Sequence, residues 1–293
     1  IHDPEILPLG LLLKWLTRRP VIYDAHEYYG DEVQTRQWIP ASLRIPAGWL
    51  TERIEKAVAK RLAAVVTVNE HMNALFLRVQ PRSVAVHNYP PAEFFTAPPA
   101  GPREQLVVYA GTLTVDRGLE TIYQAGRLLR ARYPDLEIIV AGPVDWAGID
   151  PAVPRDRHRW GQDAGVHFLG TLPPRQVPAL LQRASVGWIP FQATPNNIRA
   201  TPIKLLEYMA AELPVVASDL DGMRAIITVA GSGLLARAAD ASSHAEAIAW
   251  LLEHPSEVLS MGERGRRSVL ERYTWASEGE KLVGLYEEVG GRK

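Results

Sequence analysis

The chain has 293 residues, a length that predicts two domains at roughly 100–200 residues each. Its 32 basic and 33 acidic side chains nearly cancel, which argues against a general nucleic-acid binder, and a 47% hydrophobic fraction argues against disorder. With no cysteine, disulfides, thiolate zinc sites, iron–sulfur clusters and cysteine nucleophiles are excluded, and a cytoplasmic location is expected.

The first stretch, residues 7–16, is apolar but too short to span a bilayer, and Lys14 interrupts it. The basic pair Arg18-Arg19 follows it rather than preceding it, the wrong order for a signal peptide. Short apolar runs then alternate with longer periodic ones, the pattern of βα units around a parallel sheet. Strands are expected at 20–24, 64–68 and 82–87, and helices at 50–63 and 70–79. Proline-rich sequence without periodicity fills 88–105. It predicts a linker with the domain boundary near residue 97. The alternation restarts with strands at 106–110, 136–141, 166–169, 186–191, 213–218 and 234–235. Helices are expected at 117–133, 174–183 and 202–212, and a loop at 142–163. Three helices beginning near Ser243, Ser256 and Trp275 close the chain, the first with Ser243 three residues before Glu246 as a capping box. The reading is thus α/β with two Rossmann-like doubly wound parallel-sheet domains. Residues 1–96 form the first and 97–274 the second, and a C-terminal helix at 275–293 packs back toward the first. The first domain has the pattern of only the back half of such a fold. At roughly 30 residues per βαβ unit, a full one needs on the order of 80 more residues, so the chain is expected to be a fragment.

Gly231-Ser232-Gly233-Leu234-Leu235-Ala236 matches a dinucleotide fingerprint, but Leu234-Leu235 reads as a strand where that fingerprint requires a helix. The eight histidines are scattered and suggest no metal constellation. Two helix starts are more informative. In Ala200-Thr201-Pro202-Ile203-Lys204-Leu205-Leu206-Glu207, Thr201 is the expected N-cap and Pro202 the first helical residue. Lys204 falls in the first turn with Arg199 upstream. A cation there is unfavourable by roughly 0.3–1 kcal/mol unless an anion completes the site. Glu207, one turn deeper, is placed to accept hydrogen bonds from sugar hydroxyls; the plain alternative is an exposed ion pair with Lys204. In Gly111-Thr112-Leu113-Thr114-Val115-Asp116-Arg117-Gly118, Asp116 is the expected N-cap and Arg117 a second first-turn cation. Gly111 and Gly118 admit close ligand approach, and the plain alternative is a capped surface helix. A diphosphate would satisfy both corners.

These segments, YAGTLTVDRGLET (109–121) and PIKLLEYMAAELPVVAS (202–218), with VHFLGTLPPRQVPALLQRASVGWIPF (166–191), ERYTWASEGEKLVGLYEEV (271–289), HDPEILPLG (2–10) and VIYDAHE (21–27), closely resemble the group-1 (family 4) retaining glycosyltransferases of the GT-B fold. The resemblance implies that Arg117 and Lys204 hold the donor diphosphate, that Glu207 binds the donor ribose, and that Gly111 and Thr112 approach the transferring phosphate. It implies that Thr171 and Leu172 line the base, that Pro202, Ile203 and Leu205 flank the donor, and that His26 sits beside donor sugar and acceptor as a positioning group. The family's first glutamate falls at Arg199 here, so the donor-sugar contact must come from Asn196, Asn197 or backbone amides. The implied reaction moves a sugar from a nucleoside diphosphate sugar to an acceptor hydroxyl of a glycan, lipid or small molecule, with retention, with no metal or other cofactor, and with no nucleic-acid partner. Rival readings are a donor-binding but catalytically silent module and a nucleotide-sugar epimerase of the same fold. Residues 9–19 and the Trp38/Trp49 region with Arg36, Arg44 and Arg53 suggest peripheral contact with anionic lipid at the inner membrane face.

Overall fold

The computed structural model describes residues 1–36, 38–90 and 101–291. In chain order the elements are α1 (Leu7–Thr17), β1 (Ile22–Ala25), α2 (Tyr29–Thr35), α3 (Ala41–Ala59), β2 (Ala64–Thr67), α4 (Glu70–Leu77), β3 (Ser83–Ala85), β4 (Leu106–Ala110), α5 (Leu119–Arg132), β5 (Glu137–Ala141), α6 (Arg157–Ala164), β6 (Val166–Gly170), α7 (Val177–Arg183), β7 (Val186–Ile189), α8 (Pro195–Arg199), α9 (Ile203–Ala210), β8 (Val215–Ser218), α10 (Asp221–Ala230), β9 (Gly233–Ala236), α11 (Ala241–Glu253), α12 (Pro255–Arg272) and α13 (Trp275–Gly290). They fall into two compact units, one within Ile1–Tyr89 and Trp275–Lys293, the other within Pro90–Thr274. The boundary expected near residue 97 lies outside the described residues.

The first unit is a three-stranded parallel sheet in the order β1-β2-β3. Strand side chains alternate between faces, so β2 serves two cores. Val65 packs with Leu7, Tyr23, Val58, Met72 and Phe76 on one face. Ala64 and Val66 pack with Val86 and Leu285 on the other, where α13 supplies the cover. Glu278 fixes α13 there: its Oε2 accepts from the His87 backbone N–H at 2.8 Å, and Lys281 Nζ donates to Oε1 at 2.7 Å. Burial alone would raise this carboxyl, but the bonds from Lys281 and His87 hold it below the usual range.

The second unit is a six-stranded parallel sheet in the order β6-β5-β4-β7-β8-β9. Chain order reverses between β4 and β7, which is the switch point where a doubly wound sheet opens a crevice at the carboxyl ends of its strands. Arg103 braces the opposite end. Its guanidinium donates to the carbonyls of Leu181, Gln182, Ala184, Ala211 and Glu212 at 2.6–3.4 Å. Burial lowers its pKa.

Several expectations need correction. The helix expected at 50–63 opens at Ala41 and carries Pro46 inside it. The loop expected at 142–163 contains most of α6, capped by the Asp156 side chain and stopped by Gly165 in the left-handed region. The helices α2, α8 and α10 stand where the sequence pattern predicts no element. The cap of α11 is Asp240, whose side chain accepts from the Ser243 N–H, so Ser243 is not the N-cap. Gly231 ends α10 and Gly233 opens β9, so no helix starts at the fingerprint glycines.

Candidate functional site

The crevice is built from the loops after β4, β5, β6 and β7 and from the first turns of α9. The eight-residue α9 buries Leu205, Leu206, Tyr208 and Met209. Four apolar anchors on a helical stripe leave Lys204 and Glu207, three residues apart, on the complementary stripe. Tyr208 ties that orientation to the sheet: the backbone N–H of Ala110 donates to its hydroxyl at 2.7 Å. The Tyr109 hydroxyl in turn donates to the Thr112 carbonyl at 2.7 Å.

Lys204 reaches into the crevice with its Nζ buried and without a hydrogen-bond partner. The ammonium lies 3.7 Å from the centroid of the Tyr109 ring and 5.2 Å from that of Phe191. Burial pushes its pKa well down, the Arg117 charge pushes it further, and Glu207 opposes both. The plain alternative, an exposed Lys204–Glu207 ion pair, is not what the structure shows, because Nζ is buried and unpartnered. Burial likewise raises the Glu207 carboxyl, with Lys204 opposing. Gly111, at φ +118°, makes room for the amine: a Cβ there would stand 3.1 Å from Nζ.

Arg117 arrives from the other corner. Its Nη1 donates to the Thr112 carbonyl at 3.2 Å. The two cations thus meet at Gly111-Thr112, with no carboxylate paired to Lys204. Their helical placement needs correction. The N-cap of α5 is Gly118, at φ +91°, so Arg117 precedes the helix, and Asp116 instead bonds Thr114 Oγ1. A Cβ at Gly118 would fall 2.1 Å from the Pro190 carbonyl oxygen, which shows how tightly the loop after β4 presses on the loop after β7. Likewise α9 begins at Ile203 with Pro202 as N-cap, leaving Thr201 outside. Lys204 remains in the first turn, near the orphan N–H groups of the helix.

A cavity of about 470 Å³ opens beside this pair, lined by Gly111, Thr112, Gly142, Thr171, Leu172 and Glu207 among others. The expected base loop and ribose carboxylate therefore share one cavity. Other expected contacts separate from it. Asn197 is buried, and its Nδ2 donates to the carbonyls of Asp116 at 2.9 Å and Gln192 at 3.1 Å, so its amide nitrogen clasps the two loops together. Asn196 and Arg199 are exposed on α8, Ile203 is exposed, and Leu205 is core. His26 lies in the first unit, where its Nε2 stands 3.2 Å from Asp24 Oδ2 and 3.4 Å from His2 Nδ1. The scattered-histidine expectation is corrected at this point, because the sheet brings two of them together. Tyr109, Tyr208 and Gly142 also build the site, and in the sequence they carry only the marks of strand, core and turn.

Residues 104–254 match the family model described as glycosyl transferases, group 1. A D-inositol 3-phosphate glycosyltransferase of Corynebacterium urealyticum is 27% identical over 63% of this chain and 43% of its own length. A phosphatidyl-myo-inositol mannosyltransferase of Propionibacterium freudenreichii subsp. shermanii is 26% identical over 99% of this chain and 70% of its own. The chain thus spans about two fifths of the first relative. The crystal structure of Anabaena Alr3699/HepE in complex with UDP superimposes with a TM-score of 0.75 at 15% identity, over 98% of this chain and 78% of that one. The fold is that of these GT-B enzymes.

Proposed function

We propose that this chain, which belongs to the glycosyl transferases of group 1, binds a nucleoside diphosphate sugar in its second unit and transfers the sugar to an acceptor hydroxyl with retention at the anomeric carbon. The observation that carries the reading is the buried Lys204 ammonium, unpartnered and joined by Arg117 at Gly111-Thr112. A protein keeps an uncompensated buried cation at a cost, and an anion filling the crevice removes that cost. The nucleobase lies against Thr171 and Leu172, the ribose hydroxyls donate to Glu207, and the diphosphate takes Lys204, Arg117 and the first N–H groups of α9.

As the bond between the anomeric carbon and the phosphate oxygen breaks, negative charge grows on the leaving diphosphate. Arg117 and Lys204 are fixed before that moment, so they stabilise the charge without reorganising. The acceptor oxygen bonds the same face of the anomeric carbon, and its proton passes to the leaving phosphate oxygen. Two cations and a helix N-terminus supply the charge that a metal would, so the transfer step is assigned no cofactor. His26 acts as a positioning group on the acceptor side. The relatives named for transfer to inositol phosphate and to phosphatidyl-myo-inositol support a polyol or lipid acceptor.

Among the described residues no helix is long and apolar enough to cross a membrane. Peripheral contact remains part of the proposal. Trp15 is 76% and Trp38 79% exposed, Leu12, Leu13 and Leu16 are exposed on α1, and Lys14, Arg18 and Arg19 flank them. Such a face suits an anionic lipid interface. Co-sedimentation with phosphatidylglycerol vesicles checks it, and absence of binding would remove that element.

The main test is a donor screen by thermal shift with UDP, GDP and dTDP and their sugars, followed by proton NMR of the product's anomeric configuration. One nucleotide is expected to raise the melting temperature, and the product is expected to keep the donor's configuration. No stabilisation by any nucleoside diphosphate, or an inverted product, would overturn the reading.

A further inference from the structure

We infer that the first unit holds a site for one divalent transition-metal ion, ligated by His2 Nδ1, Asp24 Oδ2 and His26 Nε2. The inference does not depend on the diphosphate site, which lies in the other unit. The three atoms form a tight triangle: His2 Nδ1 to Asp24 Oδ2 is 3.1 Å, His26 Nε2 to Asp24 Oδ2 is 3.2 Å, and the two nitrogens are 3.4 Å apart. They form a grouping whose ligand atoms all lie within 4.8 Å of one another. Ligands about 2.0–2.2 Å from a zinc-like ion in tetrahedral geometry stand roughly 3.3–3.5 Å from each other, so the triangle needs little adjustment to close on an ion.

The backbone sets this geometry. Asp24 lies in β1 and His26 one residue past its end, where its ring turns back to the Asp24 carboxylate at 3.2 Å. The Asp24 N–H donates to the Ile1 carbonyl at 2.9 Å, and the Ile1 nitrogen donates to the Ile22 carbonyl at 3.0 Å, so residues 1–2 run beside β1 and deliver His2 to Asp24. Each ring nitrogen offers either an N–H or a lone pair, according to its tautomer. With both rings in the lone-pair tautomer, the two nitrogens and the Asp24 oxygen present three donor atoms to a single cation.

Donor type sets the class of ion. Two imidazoles and one carboxylate favour zinc, cobalt, nickel or copper over magnesium or calcium, which prefer all-oxygen shells. Three protein ligands leave a coordination position open, as in sites that hold a water or an exogenous ligand. Both rings reach solvent, and a cavity of about 140 Å³ lined by Asn88, Trp275 and Tyr286 adjoins them.

The test is a titration of the intact, metal-free chain with Co²⁺ at pH 7.5, followed by visible absorption and by displacement with Zn²⁺. One equivalent of a low-symmetry d–d band is expected, abolished by Zn²⁺ and unaffected by excess Mg²⁺. His2→Ala and His26→Ala are each expected to weaken binding at least tenfold, while His158→Ala, on α6, leaves it unchanged. Circular dichroism melts establish that the variants are folded, and His2→Ala, beyond any regular element, is the safest of them. A missing band, or the same band in the His2→Ala/His26→Ala double variant, would overturn the site. Because transfer is also assigned to draw on His26, activity is not the readout, and failure of either reading leaves the other standing.

Discussion

Replacing Lys204 by Met separates what the amine does for folding from what it does for binding. In the free chain its Nζ is buried and without a hydrogen bond. An unsatisfied buried polar group costs about 1–3 kcal/mol, and a charged one more. The Tyr109 ring at 3.7 Å returns part of this, about 0.5–2 kcal/mol for a cation–π contact. Glu207, one turn on, returns a little more. The balance is a net cost near 1 kcal/mol, which Met, of similar length and apolar, removes. The free Lys204→Met chain is therefore expected to melt about 2–4 °C higher, the usual shift per kcal/mol for a domain of this size. The sign of the pH dependence follows. Lys204's pKa is depressed in the native state, so the wild-type penalty is full below that native value and is relieved as pH rises toward about 10.5; the variant lacks this relief. With the preferred nucleoside diphosphate the order reverses. Losing a charged hydrogen bond costs about 1.5–3 kcal/mol, so affinity is expected to fall roughly 10- to 150-fold. Melting curves with and without nucleotide, together with calorimetric titration, read both effects. A variant that melts lower than wild type and binds the nucleotide equally well would refute the reasoning.

Gly111→Ala places a Cβ 3.1 Å from the Lys204 amine at φ +118°; strain of order 1–3 kcal/mol should lower the melting temperature and weaken nucleotide binding together, and an unchanged affinity would count against the close packing. Arg103→Ala leaves five carbonyls without their donor, and urea unfolding should show a loss of about 3 kcal/mol. The buried His244 accepts from Trp188 Nε1 at 3.0 Å, and burial holds its pKa down to about 4. An unfolded histidine protonates near about 6.5, so stability present above that pH is lost as pH falls toward the native value, by about 3 kcal/mol. Urea midpoints at pH 7 and pH 4.5 should converge less in the wild type than in His244→Asn, and parallel behaviour would exclude His244 as the acid-sensitive group.

The strands of the second unit were legible because most are runs of β-branched and apolar residues bounded by turns, as in Leu106–Ala110 and Val215–Ser218. Two short helices were not: α8, of five residues, and α2, of seven, lack an apolar period that marks them. α6 and α10 did carry signals, the Asp156 cap with Gly165 and the spacing of Met223, Ile226 and Ile227 before Gly231, and these could have been read. Pro46 hid the start of α3 because a proline inside a helix removes a hydrogen bond and reads as a break. At the site, a first-turn cation identified Lys204, and its spacing from Glu207 predicted a shared stripe. What spacing leaves open is burial: an ion pair with Glu207 and an unpartnered amine over Tyr109 have the same sequence. Asn197 shows the same limit, since nothing local distinguishes an amide that meets a sugar from one that clasps the Asp116 and Gln192 carbonyls. The His2–His26 contact depends on β1 and the preceding segment running side by side, which no local pattern reports.

The central claim is that Arg117 and Lys204 act on one bound diphosphate. A double-mutant cycle of Arg117→Ala and Lys204→Met, read by calorimetric titration of the preferred nucleoside diphosphate, measures it most directly. Groups sharing a ligand couple by about 0.5–3 kcal/mol. Both single variants should therefore bind more weakly, with a coupling energy inside that range. Additive losses, or no loss from either replacement, would contradict a shared cradle.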